Sequence, residues 1–139
     1  MGGVTNGQAG DTGDGTPKPR ILVVEDEPFI AMLLADMLEE LGFSITASFS
    51  NVAETENYLG ADEVDIALLD VNLGGEKIDP IADLLAARGC PFIFTTGYGR
   101  RGIPQNYADR PVLRKPFQLG DLANALQTQL DAQMKSPKP

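Results

Sequence analysis

The sequence has no histidine, no tryptophan and a single cysteine, Cys90. Without histidine the chain can hold no Ser-His or Cys-His pair, no His-ligated zinc and no phosphohistidine of its own. A lone cysteine forms no internal disulfide, which fits a reducing compartment and points to the cytoplasm. Basic residues are scarce: eleven Lys and Arg stand against twenty Asp and Glu, a net charge of −9. A basic face for nucleic-acid phosphates is therefore missing, and an anionic membrane surface would repel the chain. Apolar runs are short. None approaches the ~18 residues of a membrane span, and the N-terminus lacks the apolar stretch of a signal peptide. Chemistry is left to carboxylates, hydroxyls and lysine.

What is present suits one globular domain: 139 residues, 42% of them apolar and 22% charged. Residues 1–19 carry six of the fifteen glycines among Asp, Thr, Asn and Pro, with almost nothing to bury, and read as a disordered arm. Residues 135–139, Lys-Ser-Pro-Lys-Pro, read as a frayed tail. Residues 20–134 hold eighteen acids and eight bases, so the acidity belongs to the folded part.

That block alternates between two periods. Ile21-Leu22-Val23-Val24 is a wholly apolar run, as in a strand covered on both faces. Pro28 suits the first turn of a helix whose apolar side takes Phe29, Ile30, Leu33, Leu34, Met37, Leu38 and Leu41, with Gly42 as its stop. Phe43 to Phe49 reads as a second strand, and Asn51 with Glu54 opens a helix ending near Gly60. Ile66 to Leu69 is a third strand, Ile78 to Arg88 a helix closed by Gly89, and Phe92-Ile93-Phe94 a fourth strand. Val112-Leu113 makes a short fifth strand, and Leu119, Leu122, Leu126 and Leu130 face inward on a last helix. Five strands alternating with helices imply a parallel sheet covered on both sides, with ligands gathering at the strands' carboxyl ends.

The residues at those ends are polar. Strand one runs into Glu25-Asp26-Glu27, strand three into Asp70, strand four into Thr95-Thr96-Gly97 and strand five into Lys115-Pro116-Phe117. Carboxylates brought together from two strands repel, and a hard divalent cation such as magnesium relieves the conflict. Asp26 and Asp70, with Glu25 behind, suit that ion. A phosphoryl group on Asp70 would add a ligand oxygen, with the Thr96 hydroxyl and the Lys115 ammonium available to its other oxygens. Glu27 reads as a solvated helix-start charge, Thr95 as a strand residue turned away, Cys90 as a buried small apolar group, and Arg100-Arg101 as a solvated pair.

In this order and on these strands, Glu25-Asp26, Asp70, Thr96 and Lys115-Pro116-Phe117 resemble the response-regulator receiver domain of two-component signalling. The resemblance covers residues 20 to about 134. It implies an α/β, doubly wound, five-stranded parallel sheet of the flavodoxin-like, chemotaxis-regulator type with strand order 2-1-3-4-5. It makes Asp70 the phospho-acceptor, assisted by Thr96 and Lys115. Asp26, Asp70 and the backbone carbonyl of Asn72 become Mg2+ ligands, and Glu25 acts through water. A cis Lys115-Pro116 peptide is expected, as is a sensor histidine kinase or phosphotransfer protein as partner. The chain is expected to be a monomeric single-domain regulator that catalyses only its own phosphorylation and dephosphorylation and signals through protein contacts.

Phe94-Thr95-Thr96-Gly97-Tyr98 further resembles the signature of alphaproteobacterial receivers named for the string Phe-Ala-Thr-Gly-hydrophobic-Tyr (FATGUY), some of them tied to the general stress response. Thr95 replaces the Ala, and the hydrophobic residue before Tyr98 is missing. Two features depart from receivers at large. Val112 stands where an aromatic residue often precedes the Lys by three positions, and nineteen positions from Thr96 to Lys115, rich in Gly and Pro, leave room for one short turn around residues 103–108 rather than a full fourth helix. The Gly-rich segment is expected to be mobile, with Tyr98 and Thr96 as its switch residues. Two alternatives use the same residue types: a haloacid-dehalogenase-like phosphatase, whose Asp-x-Asp lies on the first strand, and a pseudo-receiver that binds partners without being phosphorylated.

Overall fold

The computed structural model describes residues 18–97 and 100–135. Five parallel strands form one sheet: β1 (Ile21–Val24), β2 (Ile45–Phe49), β3 (Ile66–Asp70), β6 (Phe92–Thr96) and β7 (Val112–Arg114), in the order β2-β1-β3-β6-β7. The expected 2-1-3-4-5 order is the one observed, once a small antiparallel hairpin of β4 (Asn72–Leu73) and β5 (Glu76–Lys77) is set apart.

Alternation along the central strands builds two cores. Leu22, Val24, Ala67, Leu69, Phe92 and Phe94 pack with Leu59 of α2 (Val52–Leu59) and with Ile81, Ala82 and Leu85 of α3 (Asp79–Ala87). Ile21, Val23, Ile66, Leu68 and Ile93 face the other way, against Leu34 and Leu38 of α1 (Pro28–Glu40) and Leu122 and Leu126 of α4 (Leu119–Lys135). Successive side chains of a strand point to opposite faces, so an unbroken apolar run can only sit between two helix layers. Cys90 is buried, as its neighbours in sequence suggested. Among the described residues, no helix is long and apolar enough to cross a membrane.

Two expectations need correction. Phe29 is 74% exposed, and so is most of Met32. The buried stripe of α1 runs through Ile30, Leu34 and Leu38, and each residue turns about 100° from the last, which swings Phe29 off that stripe. The second strand begins at Ile45, not Phe43. The Phe43 N–H donates to the Leu38 carbonyl (2.8 Å) and the Gly42 N–H to Glu39 (3.0 Å), with Gly42 at φ +91°. That pattern consumes the Phe43 donor in closing α1, so it is not free for the ladder.

Asn51 caps α2 as its position implied, its Oδ1 accepting from the Glu54 N–H at 2.9 Å. Asn51→Ala should cost about 1 kcal/mol of stability, read as a lower urea midpoint with an unchanged slope.

Between β6 and β7 the expected short turn is a 3-10 turn at Gln105–Tyr107. It is fastened down. The Tyr107 hydroxyl donates to Asp83 of α3 at 2.6 Å, and the Arg110 guanidinium lies 4.2 Å above the Phe92 ring and 5.6 Å from that of Tyr107. Arg100 is exposed, as expected of a solvated residue, and donates to the Ala108 carbonyl. Tyr98, the expected switch residue, lies outside the described residues.

Candidate functional site

The site assembles where β1, β3, β6 and β7 end. β1 delivers Glu25, whose N–H donates to the Phe49 carbonyl of β2 (3.0 Å), so its backbone continues the sheet by one residue. Asp26 follows, half-buried, in the turn before α1. β3 ends in Asp70, 2% exposed and paired in register with Thr95. Thr96 closes β6, fully buried, and its carbonyl accepts from the Lys115 N–H at 2.8 Å. That bond stations Lys115 just beyond β7, where the Lys115-Pro116 peptide is cis as expected.

One ammonium faces several carboxylates. Lys115 Nζ lies 3.0 Å from Glu25 Oε1, 3.2 Å from Asp70 Oδ2 and 3.9 Å from Glu27, whose side chain is mostly exposed. Glu25, Asp26 and Asp70 each present an oxygen within 4.8 Å of the others. Glu25 Oε2 accepts from the Glu27 N–H (3.1 Å), and Asp70 Oδ1 from the Asn72 N–H (3.0 Å). Glu25 Oε1 is buried and, despite its nearness to Lys115, accepts no hydrogen bond. Asn72 turns its side chain back into the hairpin, its Oδ1 accepting from the Gly75 N–H at 3.2 Å.

Three acids against one lysine perturb one another. Burial pushes the Glu25 carboxyl up to about 7, against the opposing pull of the Lys115 hydrogen bond, and the Asp70 charge adds to the rise. Asp26 is raised too, first by loss of solvent and then by Asp70. At Lys115 burial opposes the charged form, but the hydrogen bond to Glu25 and attraction to Asp70 outweigh it, leaving its pKa above the usual lysine value. The excess negative charge and an oxygen-only donor set, with one oxygen from each of three acids within 4.8 Å of the others, are what a small hard cation requires, so the residues present fit a magnesium ion.

A family model for the response regulator receiver domain matches residues 21–127. The chain belongs to this family. Receivers of the family bind Mg2+ at an acidic pocket, and this receiver has the acids for one. Its fold is similar to that of SdrG from Sphingomonas melonis Fr1, with 45% sequence identity and a TM-score of 0.73 over 81% of this chain and 97% of that one. The phyllosphere-induced regulator PhyR of Methylorubrum extorquens is 33% identical over 108 residues, covering 70% of this chain and 38% of PhyR. The transcriptional regulatory protein PdtaR of Mycobacterium tuberculosis is 28% identical over 112 residues, covering 78% of this receiver and 55% of PdtaR. The chain thus spans about half the length, or less, of these curated relatives.

The receiver brings together Glu25, Asp26, Asp70 and Lys115, and places Thr96 and Asn72 on the segments flanking them. Thr95, expected to turn away, is as buried as Thr96 but sits on the opposite side of the strand by alternation. Sequence reasoning missed the β4–β5 hairpin, although Gly74-Gly75 between Leu73 and Glu76 is a hairpin signal. The match to receivers also sets aside the haloacid-dehalogenase-like alternative.

Proposed function

We propose that this receiver accepts a phosphoryl group on Asp70 from the phosphohistidine of a sensor kinase or phosphotransfer protein, and passes the signal on through protein contacts in the cytoplasm. The observation that carries the reading is Lys115 Nζ held between Asp70 and Glu25, with Asp26 within ligand reach of both.

In that reaction the donor's P–N bond breaks as a P–O bond forms to the Asp70 carboxylate, and the released imidazole takes a proton. A bound Mg2+, held by Asp26, Asp70 and the Asn72 carbonyl with Glu25 acting through water, would supply charge neutralisation on the transferring oxygens. Asp70 is held for attack by the Asn72 N–H on one oxygen and the Lys115 ammonium on the other. Once the acyl phosphate forms, Lys115 is placed to pair with a phosphoryl oxygen, and the Thr96 hydroxyl, at the end of the neighbouring strand, is the donor for another.

The exposed Phe29 and Met32, on the helix that follows Glu25-Asp26, offer apolar contact to the donor protein. The Phe-Thr-Thr-Gly-Tyr string and the likeness to PhyR, a stress response regulator, support a place in stress-response signalling among FATGUY receivers. The test is incubation with a small acyl-phosphate donor, with and without Mg2+, followed by phosphate-affinity electrophoresis. A Mg2+-dependent shift is expected. Its absence with this donor and with a panel of phosphorylated kinases would leave a pseudo-receiver.

A further inference from the structure

The hairpin that sequence reasoning missed lies directly against the acidic site. Its tip, Gly74, has φ +58°, and a side-chain carbon there would stand 3.3 Å from Asp26 Oδ2. Gly75, next in sequence, has φ +97° but meets nothing within 4 Å. The hairpin is pinned at three points. Asn72 donates to Asp70 at its start, Leu73 is buried in the core, and Glu76 Oε1 accepts from the Val52 N–H at 3.2 Å, at the first residue of α2. A carboxylate at a helix start satisfies an orphan N–H and is favoured by the helix dipole, so Glu76 makes a firm anchor on an element outside the site.

We propose that Gly74 and Glu76 are positioning residues for the acidic site: Glu76 ties the hairpin to α2, and the tied hairpin lays the bare Gly74 backbone beside Asp26, giving that carboxylate the room it needs to reach a divalent cation. The inference rests on the reading of the site as a cation-binding receiver centre. Neither residue belongs to the acid cluster of Glu25, Asp26 and Asp70. Gly74 acts through the space it leaves free, and Glu76 acts through the hairpin. Groups that orient a metal ligand from outside the ligand set typically change affinity by about 10–100-fold when altered.

The experiment is calorimetric titration of the full chain with Mg2+ alone, with no phosphoryl donor. Gly74→Ala should weaken Mg2+ binding by about tenfold or more, while Gly75→Ala, with a left-handed backbone but open space, stays within about twofold. Glu76→Ala should weaken binding about threefold, and Glu76→Gln, which keeps an oxygen for the Val52 N–H, should restore it. Equal losses for Gly74→Ala and Gly75→Ala would mean backbone strain alone and would overturn the proposal, as would no loss for either. If both glycine variants unfold, the Glu76 pair decides, and identical affinities for Ala, Gln and wild type overturn it. A wild-type chain that takes up no Mg2+ brings down the cation reading of the site itself, and the hairpin's role with it.

Discussion

Asp70→Asn is expected to abolish phosphoryl acceptance, to below about one-hundredth of wild type, while making the cation-free protein more stable. The first effect is chemical: an amide has no carboxylate oxygen with which to form an acyl phosphate. The second is electrostatic. The Asp70 charge raises both Glu25 and Asp26, so removing it relaxes both carboxyls toward ordinary values. The lost contact with Lys115 offsets part of this gain, but Lys115 keeps Glu25 at 3.0 Å. A net gain of about 1 kcal/mol at neutral pH is the expected scale. Phosphate-affinity gels read the first effect and urea unfolding without divalent cations reads the second. A stability loss would show that the Asp70–Lys115 contact outweighs the repulsion.

Lys115→Met should destabilise the cation-free receiver by about 3 kcal/mol at about pH 8 and by much less at about pH 5. Lys115 is the only cation within salt-bridge distance of Glu25 and Asp70 among the described residues. Breaking a buried pair leaves an uncompensated charge, which is worse than never having had the pair. The sign of the pH dependence follows from Glu25. Its folded-state carboxyl is raised to about 7, above the unfolded value of 4.5. Stability linked to it is therefore fully present below about pH 4.5 and is lost as pH rises through about 7. Removing Lys115 takes away an influence that lowers the Glu25 pKa, so the group holds its proton longer and the variant loses most of its stability on the alkaline side. Thermal unfolding in chelator across that range, with Glu25→Gln as a second variant, measures it. A flat profile in both Lys115→Met and wild type would mean that Glu25 ionises freely in the fold. Added Mg2+ should reverse the slope, because the cation competes with the Glu25 proton.

The local elements were legible in the residues because each depends on near neighbours. Ile21 to Val24 and Ile66 to Leu69 could only be strands between helices, Asn51 is a cap by chemistry, and the spacing from Thr96 to Lys115 leaves no length for a long helix between those two residues. The four polar strand ends were equally legible, since parallel strands share one carboxyl edge. Other features depended on contacts between segments far apart in sequence. Phe29 reads as a core residue until the direction of the sheet picks out one stripe of α1, and Phe43 reads as strand until the end of α1 takes its N–H. The hairpin's role rests on Glu76 meeting Val52 and Gly74 meeting Asp26, pairs that no local pattern joins.

From its sequence alone this receiver's alternation of strands and helices and the acids, hydroxyl and lysine at its strand ends could be read, because periodicity and position after an apolar run are local properties; the strand order came from the resemblance to receivers. Only the tertiary structure decided that Lys115 bridges Glu25 and Asp70 and that burial lifts Glu25 toward neutrality. Distance and desolvation are set by how separate segments pack, and neither is written in any one of them.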